Sequence, residues 1–249
     1  MNSNKLIKLF TLLPQFSKKI IVNNVVNIAK QKGYILYKKD KIITTYHIDA
    51  GRKNIINLIK KIKAEKHLLQ DDLEAYQIFT VVESVKKIKG DLVEVGVYKG
   101  RSAKIIFNAD KKKILHLFDT FKGIPAVDNN DDSYIKKGEL TSSFRSLKNY
   151  FSKNKNVFIY KGICPASAKP IKNKKFSFVH LDVDTYKSTL NCLNFFYPRM
   201  NKGGAIMSHN YIDGPGVKKA INEFFKSKKE PVIEMPGNFR FGHCLIIKL

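Results

Sequence analysis

From about residue 71 to the C-terminus the chain alternates short apolar runs with longer stretches of helical spacing. That rhythm limits the fold more than any other feature. The runs "DLVEVG" (91–96), "ILHLFD" (114–119), "VFIYKG" (157–162), "FSFVHLDVD" (176–184) and "GAIMSH" (204–209) read as buried strands. Residues 74–89, 101–108 and 140–151, "STLNCLNFFYPRM" (188–200) and "PGVKKAINEFF" (215–225) read as the helices between them. Residues 231–235 and 243–248 form a closing strand pair around Pro236-Gly237. Strands joined through helices must run parallel, because a crossover returns the chain to the same end of the sheet. The expected fold is α/β: a doubly wound, mostly parallel, seven-stranded Rossmann-like sheet. A short turn before the last strand makes that strand antiparallel, at an edge of the sheet.

Residues 1–70 read differently. They are basic and mainly helical in pattern, over 5–13 and 17–32 with Pro14 between, followed by a small hairpin at 34–37 and 41–45. The segment 54–66 is an amphipathic helix with Ile55, Ile56, Leu58, Ile59 and Ile62 on one side. The expected organisation is a helical cap or extension over 1–70 and an α/β domain over 71–249. The cap has four readings: simple packing on the main domain, a lid, a contact in a homo-oligomer, or a membrane-surface helix.

The formal charge of +25 raises the question of nucleic acid. Only five basic residues are Arg and 41 are Lys, scattered among Asn and Ile along the whole chain. Nucleic-acid sites rely on the bidentate guanidinium, so no dedicated nucleic-acid surface is expected. Acidic partners fit better: nucleotide-sugars, phosphoglycans or an anionic membrane face. Three cysteines far apart in sequence (Cys164, Cys192, Cys244) give no disulfide framework and no zinc knuckle. No run is long and apolar enough for a transmembrane segment, and no cleavable leader is visible, so a cytoplasmic protein is expected.

Ligands of open α/β sheets bind outside the carboxyl ends of the strands. Those ends carry Glu94-Val95-Gly96, Asp119, Lys161-Gly162, Asp182 and His209-Asn210. Gly96 and Gly100 lie in the turn after the first strand, where glycine allows a ligand close to the backbone. Their spacing is not the dinucleotide G-x-G-x-x-G, which argues against a dehydrogenase. A carboxylate just ahead of the turn, Glu94, would repel a phosphate. Asp119, ending the next strand, is placed to accept hydrogen bonds from two ribose hydroxyls. A cationic nucleoside without phosphate satisfies both acids, and S-adenosylmethionine is such a ligand.

The segments "LVEVGVYKGRSAKII", "FDTFKGIP", "KKGEL", "HLDVDTYKST", "FFYPRMNKGG" and "PGVKKAINEFF" resemble the macrocin O-methyltransferase family, in the same order and over roughly residues 70–249. The resemblance implies a class I methyltransferase fold and transfer of a methyl group from S-adenosylmethionine to a sugar hydroxyl, with magnesium. The acceptor expected from it is a sugar or glycosylated small molecule, anionic or nucleotide-linked. By the same resemblance Glu94, Gly96, Tyr98, Gly100, Ser102 and Asp119 match the cofactor loop and the ribose acid. An aspartate in the "LDVD" strand, matching Asp182, holds the metal together with an acidic pair ahead of a tyrosine. That pair falls here on His209-Asn210, so this chain departs from the pattern.

Asp182, His209 and Asn210 can each donate to a metal, but magnesium prefers all-oxygen shells and imidazole suits manganese or zinc better. His209 therefore has three readings: a ligand in a looser site, a general base on the acceptor hydroxyl, or a structural hydrogen-bonding residue. Asp182 and His209 are the candidate catalytic residues. Asp184, just before a helical run, reads as an N-cap. His180, inside an apolar strand, reads as a satisfied core residue. "VDNNDDSY" (127–134), acidic in a basic chain, reads as a solvated loop or part of a lid. The rival functions are a non-catalytic protein of the same fold that docks on an anionic glycan or surface, and a degenerate methyltransferase without turnover.

Overall fold

A computed structural model of the chain describes residues 50–64, 71–237 and 242–249. The helices read over 5–13 and 17–32 and the small hairpin after them lie outside the described residues. The described part belongs to one compact unit starting at Ala50. Its first helix, α1 (Ala50–Ala64), is the lysine-rich amphipathic segment. Ile59 and Ile62 from its apolar face are 2 % exposed and join the core. This helix, assigned above to the N-terminal extension, thus packs in the same core as the helices that cover the sheet.

The helix α2 (Asp72–Ser84) starts with a reciprocal cap. Asp71 Oδ1 accepts from the Glu74 backbone N–H at 2.8 Å, and Glu74 Oε2 accepts from the Asp71 N–H at 2.9 Å. Two orphan donors of the first turn are satisfied this way. The chain then follows the predicted alternation through β1 (Asp91–Val95), α3 (Arg101–Ala109), β2 (Leu115–Asp119), α4 (Phe144–Tyr150) and β3 (Val157–Lys161). It continues through β4 (Phe176–Leu181), α5 (Tyr186–Phe196), β5 (Met200–Ser208), α6 (Pro215–Phe225), β6 (Ile233–Pro236) and β7 (Gly242–Ile247). The helix expected over 140–151 is shorter than its apolar pattern. Leu140 has a positive φ of 61°, which no helix accommodates, and Ser143 caps the chain just ahead of Phe144.

The strands form one seven-stranded sheet in the order β3-β2-β1-β4-β5-β7-β6. The five strands from β1 to β5 pair in parallel, while β7 pairs antiparallel with both β5 and β6. The closing hairpin thus supplies the antiparallel pairing at that end, with β7 as inner strand and β6 as outer. Alternation along each strand divides the core in two. Leu92, Leu117, Phe178 and Met207 face α1, α2 and α3. Val93, Val95, Val179, Leu181 and Ile206 face α5 and α6. Each such side chain, fully buried, contributes roughly 1.5–3 kcal/mol. No helix among the described residues is long and apolar enough to cross a membrane.

Candidate active site at the strand ends

The strand register lines up the last residues of four strands. Val95 lies opposite Phe118 on one side and Leu181 on the other, and Leu181 lies opposite Ser208. The ladders run one residue further: Gly96 N–H donates to Phe118 O at 2.9 Å, Asp182 N–H to Val95 O at 2.8 Å, and His209 N–H to Leu181 O at 2.9 Å. Gly96, Asp119, Asp182 and His209 therefore stand in one row at the carboxyl edge. A cavity of about 310 Å³ opens over this row, lined by Gly96, Tyr98, Asp119, Asp182, His209 and Asn210. Most of its remaining wall is apolar, with Ile163 and Cys164 after β3 and Tyr134 and Leu140 from the loop between β2 and α4.

On the β1–β2 side the wall is made mainly by backbone. Gly96 (φ 87°), Tyr98 (φ 49°) and Gly100 (φ 85°) all take left-handed conformations. A Cβ at Gly96 would overlap the Asp182 carbonyl oxygen, and one at Gly100 would strike Leu147 of α4. At Gly96 the clash is with rigid backbone and only glycine fits, whereas at Gly100 it is the left-handed φ that calls for glycine, since the Leu147 side chain can shift. The Asp119 carboxylate closes the loop: Oδ2 accepts from Tyr98 N–H at 2.7 Å and Oδ1 from Phe121 N–H at 2.6 Å. Burial raises the Asp119 carboxyl above its ordinary range, and these backbone donors offset part of the rise.

Of the six residues matched to the cofactor, Gly96, Tyr98 and Asp119 line the cavity, while Glu94, Gly100 and Ser102 do not. Glu94 departs most from the expectation of two acids facing a common crevice. Its place in the strand alternation points it, like Leu92, toward the helices α2 and α3, where it is fully buried. Its Oε1 lies 2.9 Å from His180 Nδ1, and burial raises its carboxyl, with His180 opposing. His180 Nε2 lies 3.4 Å from His243 Nε2, and His243 Nδ1 lies 3.2 Å from Gln77 Oε1. Burial holds His243 well below the usual imidazole range, with the charges of His209 and His180 acting the same way. A neutral His243 donates from Nδ1 to Gln77 and accepts at Nε2 from His180. This buried chain runs under the cavity floor, and His180 is a satisfied core residue, as its sequence context suggests.

On the β4–β5 side the wall is made by side chains. His209 is 6 % exposed, and its ring lies between two carboxyl groups: Nδ1 is 2.9 Å from Asp182 Oδ1, and Nε2 is 3.2 Å from Glu74 Oε1. Burial alone would lower its pKa, but Asp182 and Glu74 together raise it well above the usual imidazole range. Asn210 Nδ2 donates to Asp184 Oδ1 at 2.6 Å, and Asn210 Oδ1 is buried with no hydrogen bond. Asp184 does not cap α5. It has a left-handed backbone (φ 60°) and lines the cavity, and its carboxyl is pushed up to about 7 by burial and by the charge of Asp182.

Another residue does the capping. Asp131, in the acidic loop, accepts from Tyr186 N–H at 2.7 Å. Asn130 Oδ1 of the same loop accepts from Lys219 Nζ at 2.7 Å, so the segment 127–134 is tied to α5 and α6 while its Tyr134 borders the cavity.

Sequence reasoning placed Asp182, His209 and Asn210 together, and the structure brings them together. They do not fit a divalent cation. A metal takes a nitrogen lone pair, and both ring nitrogens of His209 face carboxyl oxygens at hydrogen-bond distance. Of these three, that leaves Asp182 and the Asn210 oxygen as donors, beside the Asp184 carboxyl, which lines the same cavity and takes the Asn210 amide N–H. Among the described residues no group of three His, Cys, Asp or Glu side chains is placed to hold an ion. Glu74 is the site residue that sequence reasoning missed. The D-x-x-E pattern at Asp71 signals a capped helix, but nothing local signals its contact 135 residues away.

Comparisons with known proteins bear on this arrangement. The family model described as macrocin-O-methyltransferase (TylF) matches residues 70–236. The demethyldecarbamoylnovobiocin O-methyltransferase of Streptomyces niveus is 24% identical over 196 residues, covering 70% of this chain and 73% of that protein. The 8-demethyl-8-(2,3-dimethoxy-alpha-L-rhamnosyl)-tetracenomycin-C 4'-O-methyltransferase of Streptomyces olivaceus is 25% identical over 169 residues, 60% of this chain and 64% of that one. Among solved structures, the O-methyltransferase NovP superposes with a TM-score of 0.60 at 21% identity, over 71% of this chain and 80% of its own.

Proposed function

The chain belongs to the macrocin O-methyltransferase family and is an O-methyltransferase, and we propose that it moves the methyl group of S-adenosylmethionine to a sugar hydroxyl of a glycosylated or nucleotide-linked metabolite. The observation that carries this reading is the sharing of one cavity by Asp119 and Asp182, at the ends of β2 and β4, the two parallel strands that flank β1. Asp119 serves the ribose hydroxyls. Each carboxylate oxygen has more than one lone pair, so it can keep its backbone donors and still accept from a ligand. The left-handed turn at Gly96 and Tyr98 brings backbone close to the methionine part of the cofactor. Glu94, Gly100 and Ser102 act one layer below, by shaping that turn. The sugar preference is supported by the relatives, one of which is named for a rhamnosyl acceptor. The net charge of +25 favours an anionic acceptor.

The transfer itself is a displacement at carbon. The acceptor oxygen attacks the methyl carbon as the carbon–sulfur bond breaks, and its electron pair returns to sulfur, leaving the neutral thioether S-adenosylhomocysteine. The hydroxyl proton becomes acidic as the new bond forms, and it passes to Asp182 on the cavity wall. Holding both reactants at this edge supplies orientation, which alone can be worth several kcal/mol of barrier.

Two measurements test the reading. Calorimetry should show S-adenosylhomocysteine binding at micromolar strength or better, with no comparable binding of NAD. Labelled S-adenosylmethionine, incubated with nucleotide-sugars and glycosides, should transfer label to at least one of them. Absence of S-adenosylhomocysteine binding would overturn the proposal. Cofactor binding without transfer to any acceptor would favour the degenerate alternative.

A further inference from the structure

We propose that His209 takes the place of a metal ion in this protein: its ring, bridging Asp182 and Glu74, is the fixed cation beside the acceptor, and the chain works without a divalent metal. The catalytic half of this inference rests on the methyltransferase reading above; the binding half does not.

The geometry assigns the charge. Asp182 Oδ1 and Glu74 Oε1 are acceptors, and they face opposite nitrogens of one ring at 2.9 and 3.2 Å. An ionised carboxylate on each side requires an N–H on each nitrogen, so the ring is an imidazolium. Glu74 is 1 % exposed, and its other oxygen already takes the Asp71 N–H at 2.9 Å. A carboxylate so buried needs a positive partner, and His209 is at hydrogen-bond distance from it. Behind the ring stands His243, its centroid 5.1 Å away, and burial holds His243 neutral, so a positive ring at His209 meets no second positive ring there.

The location matters as much as the charge. Asp182 keeps 20% of its side-chain surface exposed, whereas Glu74 keeps 1%. The bridge therefore has a sealed end in α2 and an open end at the cavity. Glu74 fixes the ring, and the ring fixes the carboxylate that meets the acceptor. His209 is thus a positioning residue, and Glu74 positions it in turn. A divalent ion placed against Asp182 would stand beside a positive ring that already shares this carboxylate at 2.9 Å, and the two like charges would repel. The same bridge that supplies the charge opposes a second cation at Asp182.

The test uses the full chain and starts with metal alone. Titration with MnCl2 and MgCl2, followed by calorimetry and by the paramagnetic signal of manganese, should show no saturable site up to about 10 mM, weaker than the weakest ordinary calcium-type sites. S-adenosylhomocysteine affinity should be the same with and without EDTA. His209→Asp removes the bridge and its positive charge and offers a further oxygen donor beside Asp182, Asp184 and Asn210, so this variant should gain a saturable manganese site below about 1 mM. If His209→Asp does not fold, His209→Gln serves instead. It should keep S-adenosylhomocysteine affinity within about threefold while kcat for any acceptor falls at least ~30-fold, with no rescue by magnesium. One manganese ion bound by the unaltered protein below about 1 mM, and lost in Asp182→Asn, would overturn the proposal. So would full kcat in His209→Gln. If the unaltered protein binds no S-adenosylhomocysteine, the methyltransferase reading fails, and the manganese titrations still decide whether His209 excludes a metal.

Discussion

The two sides of the cavity are built in different ways. On the β1–β2 side, left-handed turns and backbone donors gathered by one carboxylate, Asp119, set the shape. On the β4–β5 side, side chains from three separate parts of the chain meet: Glu74 from α2, Asp182 after β4, and His209-Asn210 after β5. A wall of backbone tolerates almost no change at its glycines and leaves the side chains of other positions freer. A wall of side chains can be rebuilt by substitution, so this is the side where a chain can leave its family's pattern and keep the fold. The departure at His209-Asn210 lies there.

The comparison breaks most sharply at Gly96. Gly96→Ala places a Cβ against the Asp182 carbonyl on a backbone with φ of 87°. Chemical denaturation should show a loss of about 3 kcal/mol, and calorimetry should show S-adenosylhomocysteine binding lost altogether. A variant with normal affinity would mean that the turn does not shape the cofactor site.

A second test sets the cavity carboxylate against the buried one. Asp119→Ala should weaken S-adenosylhomocysteine by about 100-fold, since charged hydrogen bonds to the ligand and to two loop N–H groups go together. Glu94→Gln should change that affinity by no more than about threefold while lowering stability by about 1–2 kcal/mol, because Glu94 faces His180 under the floor. The reverse ranking would place Glu94, and not Asp119, at the cofactor.

The smallest effect concerns pH. Asp184 is raised to about 7 from an ordinary value of 3.8, so the unfolded chain releases this proton before the folded one does. Stability should therefore fall as pH rises from about 4 to about 7 and level off above that. Asp184→Asn should match the unaltered protein near pH 4 and exceed it at pH 8 by on the order of 2 kcal/mol. Equal stability at both pH values would show that the Asp182 and Asp184 carboxyls do not interact as their placement implies.

The backbone-built side was legible in the sequence for a physical reason. Glycine is the residue that a left-handed, crowded turn demands, so Gly96 and Gly100 mark that turn wherever they occur, and the strand-end position of Asp119 follows from the apolar run before it. The alternation of strands and helices is legible on the same grounds, down to the bounds of α6. The side-chain-built side was half legible. Asp182, His209 and Asn210 stand at strand ends, and sequence puts them at one rim, but no spacing rule says which partner a histidine takes. The Glu74–His209 bridge spans 135 residues and exists only once the helix has docked. Glu94 misled for a related reason. It stands one residue before the last of its strand, and the alternation that turns Leu92 inward turns Glu94 inward as well. Asp184 looked like a cap because a helix follows, yet the cap came from Asp131, more than fifty residues earlier.

The position of α1 bears on where this protein begins as a physical object. The match to the family model starts at residue 70, yet Ile59 and Ile62 already fill the layer beneath the sheet. Homology and cohesion therefore draw different borders. A fragment cut at the first would leave a greasy groove along α2 and α3, and what remained would be short of the apolar contact that holds the floor under its chemistry.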